Sequence, residues 1–507
     1  MVFWLFVLLA AMNKKRFVVS TLLIFILIIG FLLRGQEILS NNYLFLKDQG
    51  RDMLDIKAVV FDHKLTLIGP YTGLQGVFQG PLYYYLLAIP TAIGRGDPRW
   101  PLVFIVAAQL VGLIGMYIIG KRFFSFRAGL FAAFLFAVSP VAVAASTYIW
   151  SPHLTLPIMT FLLYWFFLWL EAPTLKYFIF ILCCLGLLYH FEIAFAVPLT
   201  LVFFFLFTIL LKKRFFPKMA LIFITVILFF LSPLFVFDVK HNFITSGSVL
   251  RLFSGKTQGL GQSFEPMGKI ARDHLFRFQT LLWSSFVDQK HPISRLMTTF
   301  FVGITGWFLI WRRDKRLSIL SAIVVLMFIV YLVYPFQIYH WYIIGLMPVI
   351  VLLMGVAFDR ISRWKIGAFL ILLVILLISS DAAERLYRLY TVVDDGGTAK
   401  IKGKIAAIDY IYKDAGGKPF NLFIFTPPVV TDAYDYLLWW HGRRAYGYLP
   451  GKEKQGVFYL LAEPDYSKPW SYQGWMETVI KTGKVLETKE LPSGFIIQKR
   501  MNEQTSL

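Results

Sequence analysis

The chain has 507 residues, 58% of them hydrophobic and only 16% charged, with a mean hydropathy of +0.66. Soluble globular domains are roughly half apolar and about a quarter charged, so that class is excluded. The net charge of +21 lies in short clusters between apolar runs, "NKKR", "KRFFSFR", "KKRFFPK", "WRRDKR" and "DRISRWK". That is the pattern of cytoplasmic loops, not of a nucleic-acid surface, so the expected partner is the bilayer and no nucleic acid.

In chain order, the opening "MVFWLFVLLAAM" has no basic n-region and makes a poor signal peptide. Met12 begins "MNKKRFVVSTLLIFILIIGFLL", a natural start for an in-to-out helix. Residues 1–11 therefore read equally as an upstream-start extension or a short apolar leader. A membrane helix needs about 20 mostly apolar residues. Candidates fall at 17–33, 82–93, 102–119, 128–145, 154–170, 176–188, 193–211, 219–237, 293–311, 317–333, 341–358 and 366–380. With "NKKR" inside, residues 35–78 lie outside; with "KRFFSFR" inside, 102–119 must run inward. Segment 82–93 then breaks parity. It is short, contains Pro90 and ends at "GRGDP", so it reads as interfacial or re-entrant, the alternative being that one basic cluster violates the rule.

The expected fold is an α-helical polytopic membrane protein with about 11–13 membrane helices, best counted as eleven spans and one partial one. The membrane domain covers 1–381, with outer loops at 35–80 and 238–292. The N-terminus is expected in the cytoplasm and the tail, 382–507, outside. In that tail "NLFIFTP", "GVFYLLAEP", "GKVLETKE" and "GFIIQKR" read as strands, and "VVTDAYDYLLWWHG" and "WSYQGWMETVIKTG" as amphipathic helices. This makes a small extracytoplasmic α/β domain. Cys183 and Cys184 are adjacent in an apolar run and read as packing residues, not a disulfide framework.

The outer loops hold the polar residues of interest. "LKDQGRDMLDIKAVVFD" brings Asp48, Gln49, Arg51, Asp52 and Asp55 close to a membrane helix. A short loop reads "YIWSPH", ending at His153; His190 and Glu192 sit between apolar runs in "LLYHFEIAF". The long loop carries Arg251, Lys256, Lys269, Arg272, His274 and Arg277, and "YPFQIYHWY" places His340 and Tyr342 at a helix start. Bland roles exist for each: a solvated carboxylate or helix cap at Asp48, a snorkelling Arg51, a polar helix face at Asp52 and Asp55, an interfacial His153. Ionisable groups at membrane depth nonetheless point to function. A carboxylate can act as general base on an acceptor hydroxyl, and Arg, Lys or His can stabilise a departing phosphate. Transporters and channels carry similar groups.

"DQGRDMLDIKAVV" followed by "GVFQGPLYYYLLAIP" resembles the start of the C-type glycosyltransferase superfamily, closest to the lipid A aminoarabinose transferases and protein O-mannosyltransferases. Those begin with Asp-Glu-x-Arg-Tyr and then Lys-Pro-Pro-Leu. The resemblance implies that Asp48 is the catalytic aspartate and Arg51 its arginine partner. Gln49 replaces the family's Glu, Asp52 its Tyr, and Gln79 its phosphate-contacting lysine, while Pro81 and Leu82 are kept. The phosphate's counter-charge then has to come from Arg272, Arg277 or His340. Gln79, Tyr84, His153, His190, Glu192 and Tyr342 complete the expected substrate-binding set with Arg51 and Asp52. "KRFFSFRAGLFAAFLFAVSPVAVAAS" and "IYHWYIIGLMPVIVLL" resemble later family segments.

The resemblance implies an inverting transfer. Asp48 deprotonates the acceptor, the acceptor attacks the anomeric carbon, and polyprenyl phosphate departs. The expected partners are a polyprenyl-phosphate-linked sugar and an extracytoplasmic glycolipid, glycan or protein hydroxyl. No cofactor is expected, and no metal-ligand spacing indicates a divalent ion. One rival is an oligosaccharyltransferase or glycan polymerase; "LLWWHGRRAYGY" resembles the Trp-Trp-Asp motif of the former, but His441 stands where the aspartate would be, and the stretch reads as a helix packing Trp on the tail's own core. The other is a transporter or flippase, against which stand the asymmetric loops, the folded tail and the lack of internal repeats.

Overall fold

The computed structural model describes residues 14–211, 216–253, 266–288, 293–311, 314–465 and 467–502. The choice between Met1 and Met12, and Lys256, lie outside them. The membrane part runs α1 (Lys14–Leu39), α2 (Lys47–Phe61), α3 (Leu82–Ile93), α4 (Arg99–Phe123), α5 (Phe126–Val138), α6 (Pro140–Ala144), α7 (Thr155–Glu171), α8 (Leu175–Leu188), α9 (Ile193–Leu210) and α10 (Phe216–Lys240). It continues with α11 (Ile244–Phe253), α12 (Met267–Ser284), α13 (Ser294–Trp311), α14 (Lys315–Leu332), α15 (Met347–Ile361) and α16 (Lys365–Thr391). Eight helices among the described residues are long and apolar enough to cross a bilayer: α1, α4, α7, α9, α10, α14, α15 and α16. The expected spans at α5 and α8 form helices of 13 and 14 residues. Leu82–Ile93 is a helix of 12 residues, about 18 Å long at 1.5 Å per residue. Its start touches α2, through Tyr84 and Asp52, and the loop at its end accepts from the tail, at Gly96.

The expected helix 128–145 is broken at Ser139–Pro140. Proline has no N–H, so the carbonyls before it lose their helical partner. Arg34, fully buried, replaces it: its guanidinium donates to Phe136 O (2.9 Å), Ala137 O (2.7 Å) and Gly30 O (3.0 Å). Arg385, paired with Asp381 at 3.0 Å, donates to Val138 O. Two charges thus complete a helix end inside the bundle. α4 and α5 cross in backbone contact, where a Cβ on Gly120 would lie 2.5 Å from Gly129 Cα. The basic clusters meet acids at the other end: Arg122 and Arg316 on Glu171 (2.9 and 2.6 Å), Arg360 on Asp314 (2.6 Å), Arg363 on Asp359 (2.8 Å).

The tail comprises α17 (Ile401–Asp414), β1 (Asn421–Phe425), α18 (Asp432–Leu437) continuing through a wider turn at Leu438–Gly442 into α19 (Arg443–Tyr446), β2 (Gly456–Ala462), α20 (Pro469–Trp475), β3 (Lys484–Glu490) and β4 (Ile496–Asn502). All four expected strands form one sheet, ordered β1-β2-β4-β3, parallel at β1–β2 and antiparallel elsewhere. α17 is an addition to the expected elements. Its buried face includes Ile401, Ile408 and Ile411 but also Lys404, which interrupts the apolar period and is paired with Glu463 and Tyr434. The tail has a small core of its own, Phe425, Phe458, Leu460, Ala462, Trp475 and Ile480, and a larger one that it shares. Tyr43, Phe45, Met53 and Ile56, between α1 and α3, share one buried cluster with Ile408, Tyr436 and Leu461. Phe45 N to Ala399 O (3.0 Å) and Ile401 N to Tyr43 O (2.9 Å) clip the two together. Trp439 accordingly packs on Phe61 of α2, at 5.1 Å between ring centres, and beside Gly96, not inside the tail.

Candidate functional site

The site grows from the start of α2. Leu46 N donates to Gln49 Oε1 (2.9 Å), closing the first turn, and Gln49 Nε2 donates to Ile149 O (3.2 Å), pinning that turn to the "YIWSPH" loop. Gln49 is therefore a cap and a strut. Asp48 lies in the same turn, where the helix dipole favours a carboxylate. Arg51 donates Nη1 to Asp48 Oδ1 (3.0 Å), and Nε and Nη2 to Asp52 Oδ1 (3.0 and 2.7 Å). Tyr84 OH donates to the same Asp52 oxygen at 3.2 Å. The two aspartates differ in access: the Asp48 side chain is 41% exposed and that of Asp52 is 0% exposed.

Burial raises the Asp52 carboxyl to about 6 against the pull of Arg51, so it is ionised at neutral pH and holds the guanidinium. Burial draws Arg51 down, but Asp52, Tyr84 and Asp48 more than reverse this, leaving it above its ordinary value. The Tyr71 ring lies 5.3 Å from the Arg51 guanidinium. Tyr148, pushed up to about 12 by burial and by Asp48, connects this cluster to the next.

That second cluster is aromatic. The His153 ring stands edge-on to Tyr148 (4.5 Å) and Trp150 (5.6 Å), and its Nδ1 donates to Tyr148 O at 3.1 Å. Trp150 meets Trp341 at 5.1 Å, and Trp341 meets His340 at 4.9 Å. Burial, and then Arg277, push His340 below its ordinary value. Arg277 is half-buried and makes no hydrogen bond or ion pair among the described residues. It is the basic group of α12 that faces the site. Arg272 is exposed and turns back onto its own helix, at 3.3 Å from Gly268 O; it is not brought to the cluster.

Gln79 and His190 support the backbone that carries Tyr84. Gln79 is buried and accepts from Ser151 Oγ at 2.9 Å. Gly80 lies so close to His190 that a Cβ there would fall 2.0 Å from its Nδ1, which accepts from Leu82 N at 3.3 Å. Glu192 caps α9 by accepting from Ala194 N at 3.2 Å, and burial pushes it up to about 8. It faces Tyr342, whose carbonyl accepts from Tyr331 OH at 2.8 Å. Among the described residues no three His, Cys, Asp or Glu side chains are grouped as a metal site requires. Sequence reasoning missed Tyr71, Trp341 and, from the tail, Asp432, which lies within electrostatic reach of Arg51 and Asp48.

The architecture can be matched. Residues 79–237 match the family described as dolichyl-phosphate-mannose-protein mannosyltransferase. ArnT from Cupriavidus metallidurans in the apo state superposes with a TM-score of 0.63 over 96% of this chain and 98% of its own, at 12% identity. The chain has the C-type glycosyltransferase fold. ArnT bound to undecaprenyl phosphate gives a TM-score of 0.60 at 12% identity over the same 96% and 98%. The Archaeoglobus fulgidus oligosaccharyltransferase, tethered to an acceptor peptide, gives 0.54 at 14% identity, over 97% of this chain and 74% of that one. No curated protein matches the sequence. Within the C-type glycosyltransferase fold, the family match begins at Gln79 and takes in the Tyr84, His153 and Glu192 segments; Asp48 and Arg51 precede it.

Proposed function

We propose that the protein is an integral-membrane inverting glycosyltransferase that moves a sugar from a polyprenyl-phosphate carrier to an extracytoplasmic acceptor. Its basic-cluster end faces the cytoplasm, with the N-terminus, and the tail faces outward. The observation that carries this reading is the split between two aspartates on one arginine: Asp52 is buried and anchors Arg51, while Asp48 stays open at the first turn of α2. An anchored guanidinium holds the open carboxylate in place without covering it. Asp48 takes the proton of the acceptor hydroxyl as its oxygen bonds to the anomeric carbon. The bond from that carbon to the phosphate oxygen breaks, and the carrier leaves as polyprenyl phosphate. The carrier named with ArnT and the carrier named for the matched family are both polyprenyl-phosphate species, which supports this donor class.

Gln79 is turned to Ser151 in place of a lysine, so the phosphate's counter-charge falls to Arg277, with His340 as a hydrogen-bond donor. Arg51 lines the approach; the buried Tyr84, His153, Tyr342, Asp52, Gln79, His190 and Glu192 shape it from behind. The test is sugar release from a panel of polyprenyl-phosphate sugars by protein in lipid, wild type against Asp48→Asn. Turnover of one donor with a loss of ~10²-fold or more in Asp48→Asn is expected. Equal turnover by both proteins removes Asp48 as the base.

A further inference from the structure

The two edges of the tail's sheet are built differently. β3, "KVLETKE", is exposed throughout and carries Lys484, Glu487, Lys489 and Glu490, charges of the kind that keep an edge strand from pairing with another chain. β1, "NLFIF", carries no charge. It is also set back between two layers. On one face Leu422 shares a buried cluster with Leu437 and Leu438. On the other, Phe425 packs on Trp475 at 5.5 Å between ring centres. A cleft of about 380 Å³ opens beside Leu422, Phe423 and Ile424, a size at which ligand clefts begin. Asp435 and Leu438 form one wall, Trp475 and Val479 the other, and the 450–452 loop closes one end.

The backbone of β1 is unfinished on the cleft side. In a strand the N–H and C=O of one residue point to one side and those of the next residue to the other. Phe425 O accepts from Glu463 N at 3.0 Å, on the β2 side, so Leu422 and Ile424 direct their groups into the cleft. Leu422 N is taken: it donates to Gly451 O at 3.0 Å, and Gly451 N donates to Phe420 O at 2.9 Å, a parallel bridge between Asn421 and Gly451. The bridge then stops, because Glu453 N turns to Asn421 Oδ1 at 3.0 Å. Leu422 O, Ile424 N and Ile424 O have no partner among the described residues. Backbone groups kept partly from water seek partners. An acceptor, a donor and an acceptor at strand spacing, just past a pairing that the chain itself begins, match another peptide backbone. A sugar or a lipid headgroup has no such repeat. A second copy offering the same edge would bring its own two helical walls against these.

We propose that the free edge of β1 is a peptide-docking site: an extended polypeptide segment adds a fifth strand there, donating to Leu422 O and Ile424 O and accepting from Ile424 N. Its side chains alternate, one against Trp475 and Val479 and the next against Leu438 and Asp435. The partner is therefore a polypeptide with an unpaired stretch of alternating apolar and polar residues. The site is made of tail residues alone, so it does not depend on the transfer reading above.

The test is fluorescence anisotropy of labelled acetyl-Thr-Val-Thr-Val-Thr-amide on the full chain in nanodiscs, which reads binding without turnover. The comparison probe is its fully N-methylated twin, which keeps the side chains and has no N–H. The parent peptide binds saturably, and the twin binds about tenfold or more weaker. Ile424→Pro removes an N–H that faces away from β2, a position where edge strands tolerate proline. It weakens the parent about tenfold and leaves the melting temperature unchanged. Val479→Trp fills the cleft from its wall and weakens the parent by a similar factor, which keeps the test decisive if the proline variant unfolds. The proposal is overturned by absence of saturable binding, by equal affinity of parent and twin, or by parent affinity unchanged in Val479→Trp. It is overturned also if the chain self-associates in detergent, Val479→Trp makes it monomeric and the peptide does not bind, which assigns the edge to a second copy.

Discussion

Two of the arginine–aspartate clusters among the described residues use the same groups to opposite ends. In the bundle, Arg34 and Arg385 spend their donors on backbone carbonyls freed by the Ser139–Pro140 break, and Asp381 balances the charge. At the start of α2, Arg51 spends its donors on two carboxylates, one of which remains open. Charge buried in an apolar interior is retained where it completes hydrogen bonds that nothing else can make. At α2 the charge is held between carboxylates, and in the proposed transfer the open one meets the acceptor. What separates the two arginine clusters is the destination of their donors, not the sequence around them.

The comparison can be broken from either side. The largest effect is expected at Arg34. Arg34→Met leaves the Phe136 and Ala137 carbonyls unsatisfied at about 1–3 kcal/mol each, so the variant melts well below wild type or fails to accumulate, measured by thermal unfolding in detergent. Asp48→Asn is the mirror case: an unchanged melting temperature with turnover reduced ~10²-fold or more. A large fall in stability there would make Asp48 structural too.

The pH profile sharpens the outer cluster. Asp52 has a raised carboxyl, near 6, so its ion pair with Arg51 is complete above that value and is lost as pH falls through it. Turnover is expected to drop about tenfold per pH unit below 6, as for any required ionised group, and Asp52→Asn flattens that limb at a lower rate. A limb unchanged in Asp52→Asn assigns it to another group. The smallest effect is at Glu192, which burial keeps protonated up to about 8. Glu192→Gln then stays within about twofold of wild type at pH 7, and departs only above pH 8, where wild type ionises; assays at pH 7 and 9 read this directly.

Much of this was legible from residue order. The apolar runs marked the helices closely; 82–93 was recovered to the residue, and the alternation in the tail marked all four strands. Proline could announce a break at 140, but apolar continuity across it made 128–145 look like one helix. Arg34, just past the expected helix 17–33, gave no hint that it would cap α5 from 102 residues away. α17 was hidden by Lys404, because a lysine on a buried face looks like a surface position until its partners are known. Arg272 and Arg277 are indistinguishable as letters; the register of α12 turns one outward and the other toward His340.

The sequence by itself determined the membrane class and the candidacy of Asp48 and Arg51. Apolar length and charge spacing act locally, through a bilayer that reads each segment on its own. Only the tertiary structure decided which aspartate is open, that Gln79 and His190 are struts, and that the tail presses Asp432 onto the head of α2 through Gly50. Those outcomes depend on which surfaces meet and which donors remain after packing, and contacts between residues hundreds of positions apart leave no periodic mark in the chain.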